Sequence, residues 1–283
     1  MHEERVCATI TNAQITRNGI EMRKALVVFS GGQDSTTTLF WAVQMFDQVH
    51  AVTFDYGQRH SLEIEAARKI AMDAMHKKLI ASWEVIKVPD CLHSVSPLTS
   101  NNELEKYTSA EQMAEVIGDR VELTFVPMRN FLFFTIAMNR AVELGCASIV
   151  SDICQEDNAN YPDTTEAFRQ KFEDAANEAL GTNKYGNQYR IIAPLMDYSK
   201  AQTVKLAYTT PGAWEALSYS HTSYDGKYPP TDMNHANVLR AQGFKEAGLP
   251  DPLVIRAWME NLMELPETSN YDSHRHGANN AYG

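Results

Sequence analysis

Lys24-Ala25-Leu26-Val27-Val28-Phe29-Ser30-Gly31-Gly32-Gln33-Asp34-Ser35 is an apolar, β-branched run, broken by two glycines and followed by a polar cluster. The apolar part predicts a strand over Lys24–Ser30, and the glycines end it. Asp34 and Ser35 are residue types that cap a helix, predicted over Thr36–Phe46. The alternation then repeats. Val49–Tyr56, Ser82–Val88, Ala147–Ile153 and Tyr189–Met196 read as further strands. Ser61–Met75 carries Ile64, Ala67, Ile70, Ala71 and Ala74 at helical spacing. Asn130–Leu144 is apolar around most of its circumference and reads as a buried helix. Thr164–Leu180 is a helix that Gly181 can close, and Ser199–Ala207 is another. Strands alternating with helices predict an α/β fold, a doubly wound parallel sheet with right-handed crossovers. Ligands of such a sheet sit beyond the carboxyl ends of its strands. The motifs discussed below fall at those ends.

The chain has 283 residues, which at ~150 per domain gives about two units; one large domain with an appendage fits as well. The pattern divides it into an N-terminal extension (1–23), the α/β domain (24–210), a small, mostly helical C-terminal region (211–265) and a flexible tail (266–283). In the C-terminal region Asp232–Ala247 and Pro250–Met263 read as helices. Pro89–Arg120 is polar and irregular, with a helix near Ala110–Ile117. A 44% hydrophobic and 22% charged composition excludes disordered and collagen-like classes. The formal net charge of −11 disfavours nonspecific binding to nucleic acid or anionic membrane. The longest strongly apolar run, Phe131–Met138, is far below the ~20 residues of a membrane span. The first 24 residues hold Glu3, Glu4 and Arg5 and no secretory core. The expectation is a cytoplasmic protein with no membrane and no direct nucleic-acid partner. Four cysteines without a Cys-x2-Cys pair argue against a disulfide framework or a four-cysteine zinc site.

Ser30 to Ser35 joins the first strand to the first helix. Two glycines let the backbone turn tightly and approach an anion, and the helix start offers free N–H groups and a positive dipole end. The hydroxyls of Ser30 and Ser35 can add donors. Asp34 beside a phosphate either binds Mg²⁺ or fixes the loop backbone. The loop lacks the GxxxxGK[ST] and GxGxxG patterns. Two glycines alone would be only a connecting turn; strand, SGGxDS and helix together point to phosphate.

SGGQDS resembles the pyrophosphatase loop of the ATP-cleaving adenylating superfamily, which implies a Rossmann-like, adenine nucleotide alpha hydrolase-like fold. Five further segments narrow the resemblance. They are Phe54-Asp55-Tyr56-Gly57-Gln58-Arg59-His60, Ser96-x-Leu98-Thr99, Phe125-Val126-Pro127-Met128-Arg129-Asn130, Glu156-Asp157 with Tyr161-Pro162-Asp163, and Pro194-Leu195 with Lys200. Together, over residues 24 to 242, they resemble the QueC-like family of 7-cyano-7-deazaguanine synthases. That resemblance implies ATP and Mg²⁺ as cofactors and 7-carboxy-7-deazaguanine as substrate. ATP adenylates the carboxylate and ammonia displaces AMP to give an amide; a second ATP drives nitrile formation. It also implies a homodimer. Mapped onto this chain, Ser30, Gly31, Gly32, Gln33, Asp34, Ser35, Tyr56 and Arg129 would bind ATP. Gln58, His60, Asn130, Asp157, Tyr161 and Asp163 would bind the substrate, and Asp34, Arg129 and Lys200 would act in catalysis. The residue types suit these roles. Arg129 can donate to phosphate or carboxylate. Asp157 and Asp163 can accept from the guanine-like edge, Tyr161 can stack and Lys200 can neutralise developing charge. Plainer readings stand beside these: Asp163 as a helix N-cap, Tyr161 as packing, Lys200 as a solvated residue, and Gln58 and His60 as supports of their loop.

The chain departs from the family in places. The family's zinc pattern, Cys-x8-Cys-x2-Cys-x2-Cys before a Leu-Arg-Ala segment, is missing. Leu239-Arg240-Ala241 is present, but Ser223 stands at the first cysteine position. Neutral Ser, Thr and Asn are poor zinc ligands, and the spacing of His221, Asp225, Asp232 and His235 fits no strong zinc signature. The structural Zn²⁺ is therefore expected to be absent, with hydrogen bonds and packing in its place. Met128 stands where the family has Gly, and its side chain is expected to narrow the approach to the site. Two enzymatic readings follow: a synthase using ammonia, or a diverged conjugating enzyme of antiviral defence operons that joins the deazaguanine to an amine of a partner protein. A non-catalytic nucleotide-binding module is the third reading, and the intact SGGQDS, Arg129 and Lys200 count against it.

Overall fold

The computed structural model describes residues 16–17, 20–58, 62–88, 92–100, 102–154, 161–182, 188–224 and 226–278. Two short strands, β1 (Thr16–Arg17) and β2 (Ile20–Glu21), pair antiparallel with each other. The main sheet follows: β3 (Lys24–Val28), β4 (Gln48–Asp55), β5 (Ser82–Lys87), β6 (Ser148–Val150) and β7 (Arg190–Ile192). Its order is β5-β4-β3-β6-β7, and every pair is parallel. Sequence order therefore reverses between β3 and β6, at the point where open sheets leave a crevice beyond their strand ends. Register sets Val27 beside Ala51 on one side and beside Val150 on the other, so the chain leaves both central strands at about one level.

Alternation along β3 sends Ala25, Val27 and Phe29 into one core and Leu26 into another. The first core is filled by α1 (Gln33–Met45) and α2 (Leu62–His76), and from the C-terminal part by α6 (Lys200–Thr209), α7 (Ala213–Leu217) and α8 (His235–Ala247). The second is filled by α4 (Arg129–Leu144) and α5 (Glu166–Ala179), through Phe133, Phe134, Met138 and Phe172. Between them in sequence lies α3 (Ala110–Ile117), capped by Ser109. Helices on both faces make the sheet doubly wound, as expected. Among the described residues no helix is long and apolar enough to cross a membrane.

Three local expectations change. The first helix starts at Gln33, not Thr36, with Gly32 at the N-cap. Asp34 and Ser35 thus lie inside its first turn instead of capping it. Asp163 does not cap the helix after it; Thr165 does, accepting from the Phe168 N–H. The tail does not run free from residue 266. It turns through a 3₁₀ segment (Ser269–Tyr271) into α10 (Asp272–Ala278), beyond α9 (Pro252–Met259). Tyr271 is buried, and its hydroxyl accepts from the Asp251 N–H at 3.2 Å. Asn270 Nδ2 donates to the Leu249 carbonyl at 2.9 Å, so an aromatic ring and an amide together dock this polar segment.

Candidate functional site

A cavity of about 240 Å³ opens where the sheet order reverses. Val28 to Ser30 enter it from the end of β3, Thr53, Phe54 and Tyr56 from β4, and Ser151 to Ile153 from β6. A smaller cavity of about 140 Å³ adjoins it. Gln33, Asp34, Arg129, Thr164, Thr222 and Tyr224 line both.

The glycine turn is built for its place. Gly31 has φ +89, and a Cβ there would lie 2.5 Å from the Ala67 nitrogen and 2.7 Å from the Glu63 carbonyl oxygen. Only glycine lets the turn lie against α2. The two serine hydroxyls bond to each other at 2.9 Å, and they accept from the Gly31 and Gly32 N–H groups. Ser35 is buried and shapes the loop, whereas Ser30, Gly32, Gln33 and Asp34 line the cavity. The loop is also held from far along the chain. The His221 N–H donates to the Gly31 carbonyl at 2.9 Å, and the Gln33 N–H donates to Thr222 Oγ1 at 3.4 Å. Thr222 in turn accepts from Arg240, whose guanidinium makes a bidentate, buried pair with Asp251 at 2.6 and 2.8 Å.

Asp34 and Lys200 meet across 166 residues of sequence at 2.5 Å. Lys200 is not a solvated residue: it is buried, starts α6, and touches Cys154 Sγ at 3.5 Å. Asp34 Oδ2 takes the lysine, and Oδ1 is buried without a hydrogen-bond partner among the described residues. Gln33 Nε2 is a second buried polar atom of this kind. A carboxylate oxygen so placed at a phosphate-type loop suits Mg²⁺ carried on a polyphosphate, since that ion needs only one or two protein carboxylates.

Arg129 opens α4 and donates to Tyr56 Oη at 3.4 Å. Asn130 follows it. Its N–H donates to Asp163 Oδ2 at 3.3 Å, and its Nδ2 donates to the Asp163 carbonyl at 3.2 Å. Asp163 therefore caps α4. Burial pushes its carboxyl up, against the pull of Arg129. It is not among the residues that line either cavity. Gln58 lines the larger cavity and also braces its own loop, accepting from the Tyr56 N–H at 3.0 Å. Tyr161 lines the smaller cavity, and its hydroxyl bonds Thr124 at 2.5 Å. His60, Asp157 and Asp225 lie outside the described residues. Met128 has φ 65, a left-handed backbone that favours glycine, and the residue is 61% exposed. It is not among the residues that line either cavity.

Several cavity residues were not anticipated. Glu63 on α2 lines the larger cavity, and burial pushes its carboxyl up to about 7, with Arg129 pulling it down and Asp152 adding to the rise. Asp152, Thr222, Tyr224 and Arg240 complete the walls. The helical spacing of Ser61–Met75 was the available signal for Glu63, as it sets this acid on the helix beside the glycine turn. Nothing local marks Thr222 or Arg240.

The zinc positions do not fit zinc. Counted from Ser223 they are 223, 232, 235 and 238. Ser223 accepts from Asn234 and Asn237 at 3.2 and 2.9 Å. Asp232 pairs with Lys106 at 2.9 Å, and Val238 is buried against Tyr107, Met113 and Ile117. Among the described residues no group of three metal-ligating side chains comes together.

The family model described as "Queuosine biosynthesis protein QueC" matches residues 24–248. A 7-cyano-7-deazaguanine synthase of Gloeobacter violaceus is 45% identical over 236 residues, covering 82% of this chain and 96% of the relative. One from Laribacter hongkongensis is 43% identical, covering 82% and 94%. A solved structure, a predicted subunit of a tRNA methyltransferase from Methanocaldococcus jannaschii, aligns with TM-score 0.41 and 16% identity over 76% of this chain and 96% of that one.

Proposed function

This chain belongs to the QueC family, and from that premise we propose that it adenylates the carboxylate of 7-carboxy-7-deazaguanine with Mg-ATP and passes the acyl group to a nitrogen nucleophile. The observation that carries the reading is the convergence of the glycine turn, Asp34 and Arg129 on one cavity at the sheet's switch point, with Lys200 reaching Asp34 from the cavity that adjoins it. The apolar side of that cavity, with Phe54, Phe133 and Leu98, suits a flat base. The other side suits phosphates: Gln33 Nε2 and the start of α1 can donate there, Arg129 carries charge, and Lys200 adds charge from the adjoining cavity. Mg²⁺, arriving with ATP, would be held by Asp34 Oδ1 and would help draw charge onto the leaving pyrophosphate. Lys200, already on Asp34, stands where it can neutralise that charge. AMP then leaves far more readily than carboxylate oxygen would, and an amide forms. The same chemistry repeated on the amide oxygen gives the nitrile. No structural zinc takes part in this reading.

The test is mass spectrometry of products from purified protein with Mg-ATP and 7-carboxy-7-deazaguanine, with and without ammonium. The expected product with ammonium is the amide or the nitrile, with AMP and pyrophosphate. An adenylate that accumulates and ignores ammonium would move the reading to conjugation with a larger amine. ATP turnover indifferent to the deazaguanine would overturn it.

A further inference from the structure

Adenylation gives work to the glycine turn, Asp34 and Arg129 at the larger cavity, and leaves Glu63 without any. Glu63 lies in the first turn of α2 and lines that cavity. Its backbone is set against the glycine turn, since a Cβ on Gly31 would stand 2.7 Å from the Glu63 carbonyl oxygen. The described acids of the cavity are Asp34, Glu63 and Asp152. Asp34 is held by Lys200. Glu63 is drawn by Arg129 and repelled by Asp152, and its own charge acts on Tyr56. The Tyr56 ring lies 5.4 Å from Phe133, which stacks on Phe54 at 4.3 Å. The carboxyl thus shares the cavity with the aromatic faces that suit a flat base. Burial and neighbouring charges alone set it at about 7, with no hydrogen bond among the described residues to lower it. Donors to its charged form would bring it down.

The proposed reaction brings two flat bases together, the adenine of ATP and the deazaguanine. Their edges differ. A guanine-type edge carries two adjacent donors, the ring N1–H and the 2-amino group. The adenine edge sets a ring-nitrogen acceptor beside one amino group. A carboxylate only accepts. It takes both donors of the guanine-type edge at once, as charge-assisted hydrogen bonds, and repels the lone pair of the adenine edge. Buried donors left without an acceptor would weaken binding. The ribose hydroxyls of ATP are the other donor pair on these ligands. They are less demanding, because a hydroxyl rotates to suit its neighbours and also accepts.

Resting on the adenylation reading, we propose that Glu63, as a carboxylate, receives the N1–H and 2-amino donors of the deazaguanine and so selects a guanine-type base. The ligand supplies the hydrogen bonds that the protein does not, and the carboxyl is ionised in the complex. Arg129, which donates to Tyr56 at 3.4 Å, favours that charge.

The test compares Glu63→Gln with the parent chain in base-dependent pyrophosphate–ATP exchange at about pH 8, where the parent carboxyl is mostly ionised. Two bases are supplied: 7-carboxy-7-deazaguanine, and the same molecule without its 2-amino group. The parent is expected to prefer the first by ~10²-fold or more in kcat/KM. In Glu63→Gln that preference should narrow to within about tenfold, through loss on the first base alone, with KM for ATP kept within about threefold. A parent that does not discriminate, or a variant that keeps the parent's preference, would overturn the role of Glu63. An equal fall on both bases would mark the residue as structural and overturn it too. So would a raised KM for ATP with the preference intact, which would turn the carboxylate toward the ribose hydroxyls. If the parent shows no exchange dependent on either base, the adenylation reading fails and this role falls with it.

Discussion

Met128 and Glu63 carry the most information at the scale of single residues, because each contradicts the habit of its residue type. A methionine at φ 65 carries the left-handed penalty of an L side chain at a largely exposed position. Met128→Gly should therefore stabilise the fold by about 1 kcal/mol and leave turnover unchanged, as read by denaturant unfolding and pyrophosphate release. A fall in turnover would mean that the side chain reaches the substrate after all. Glu63 is a carboxylic acid kept protonated by burial until about pH 7. Its folded form holds a proton that the unfolded form gives up near pH 4.5. The stability it contributes is thus complete below that value and is lost as pH rises through about 7, a decline of at most about 3 kcal/mol. Glu63→Gln should flatten the fall in melting temperature between pH 4.5 and 7. Parallel curves for the two proteins would refute the assignment. Asp34 was legible in sequence because SGGQDS announces it. Its lysine was legible only through resemblance, since 166 residues separate the two.

At the scale of elements, strands and helices were readable because alternation and helical spacing are local. All five strands of the main sheet fall where the apolar runs lie, although β6 and β7 pair over three residues each, shorter than their runs. What was not readable is how α8 and the loop before it return to the first turn. That contact depends on tertiary packing, and α8 alternates too little to announce a buried face. α8 lies close against α6 at Gly243, where a Cβ would meet the Lys200 Cβ at 2.8 Å and its backbone carbon at 3.3 Å. Gly243→Ala must push α8 off α6, or Lys200 off Asp34. A destabilisation of about 1–3 kcal/mol is expected. At temperatures where the variant remains folded, turnover should fall as well, because the 2.5 Å pair is loosened. Stability lost with turnover intact would show that α8 supports the fold without positioning the lysine.

For the whole molecule the question is what holds residues 211–278 to the α/β body when, among the described residues, the side chains at the zinc positions do not gather as a metal site. A structural zinc can supply ~10–16 kcal/mol to a small unit. A hydrogen bond supplies about 1 kcal/mol, so Ser223, Asn234 and Asn237 cannot replace zinc by themselves. Burial makes up the difference. Leu217 and Phe244 sit in the same core as Val27 and Phe29, Val238 closes over Tyr107 and Met113, and Tyr271 brings the end of the chain against Asp251. The C-terminal region is thereby stabilised by the main core, and the hydrogen bonds only fix the loop. Two results should follow. Metal analysis of the purified protein should find well under one equivalent of zinc, and a chelator should leave the melting temperature unchanged. Asn237→Ala removes donors to Ser223 and to the Asp232 carbonyl. It should cost about 1–3 kcal/mol and lower turnover further, by freeing the loop whose Thr222 receives the Gln33 N–H. Stoichiometric zinc, or melting that collapses on chelation, would show instead that other side chains have taken over the metal, and that the core does not hold this region alone.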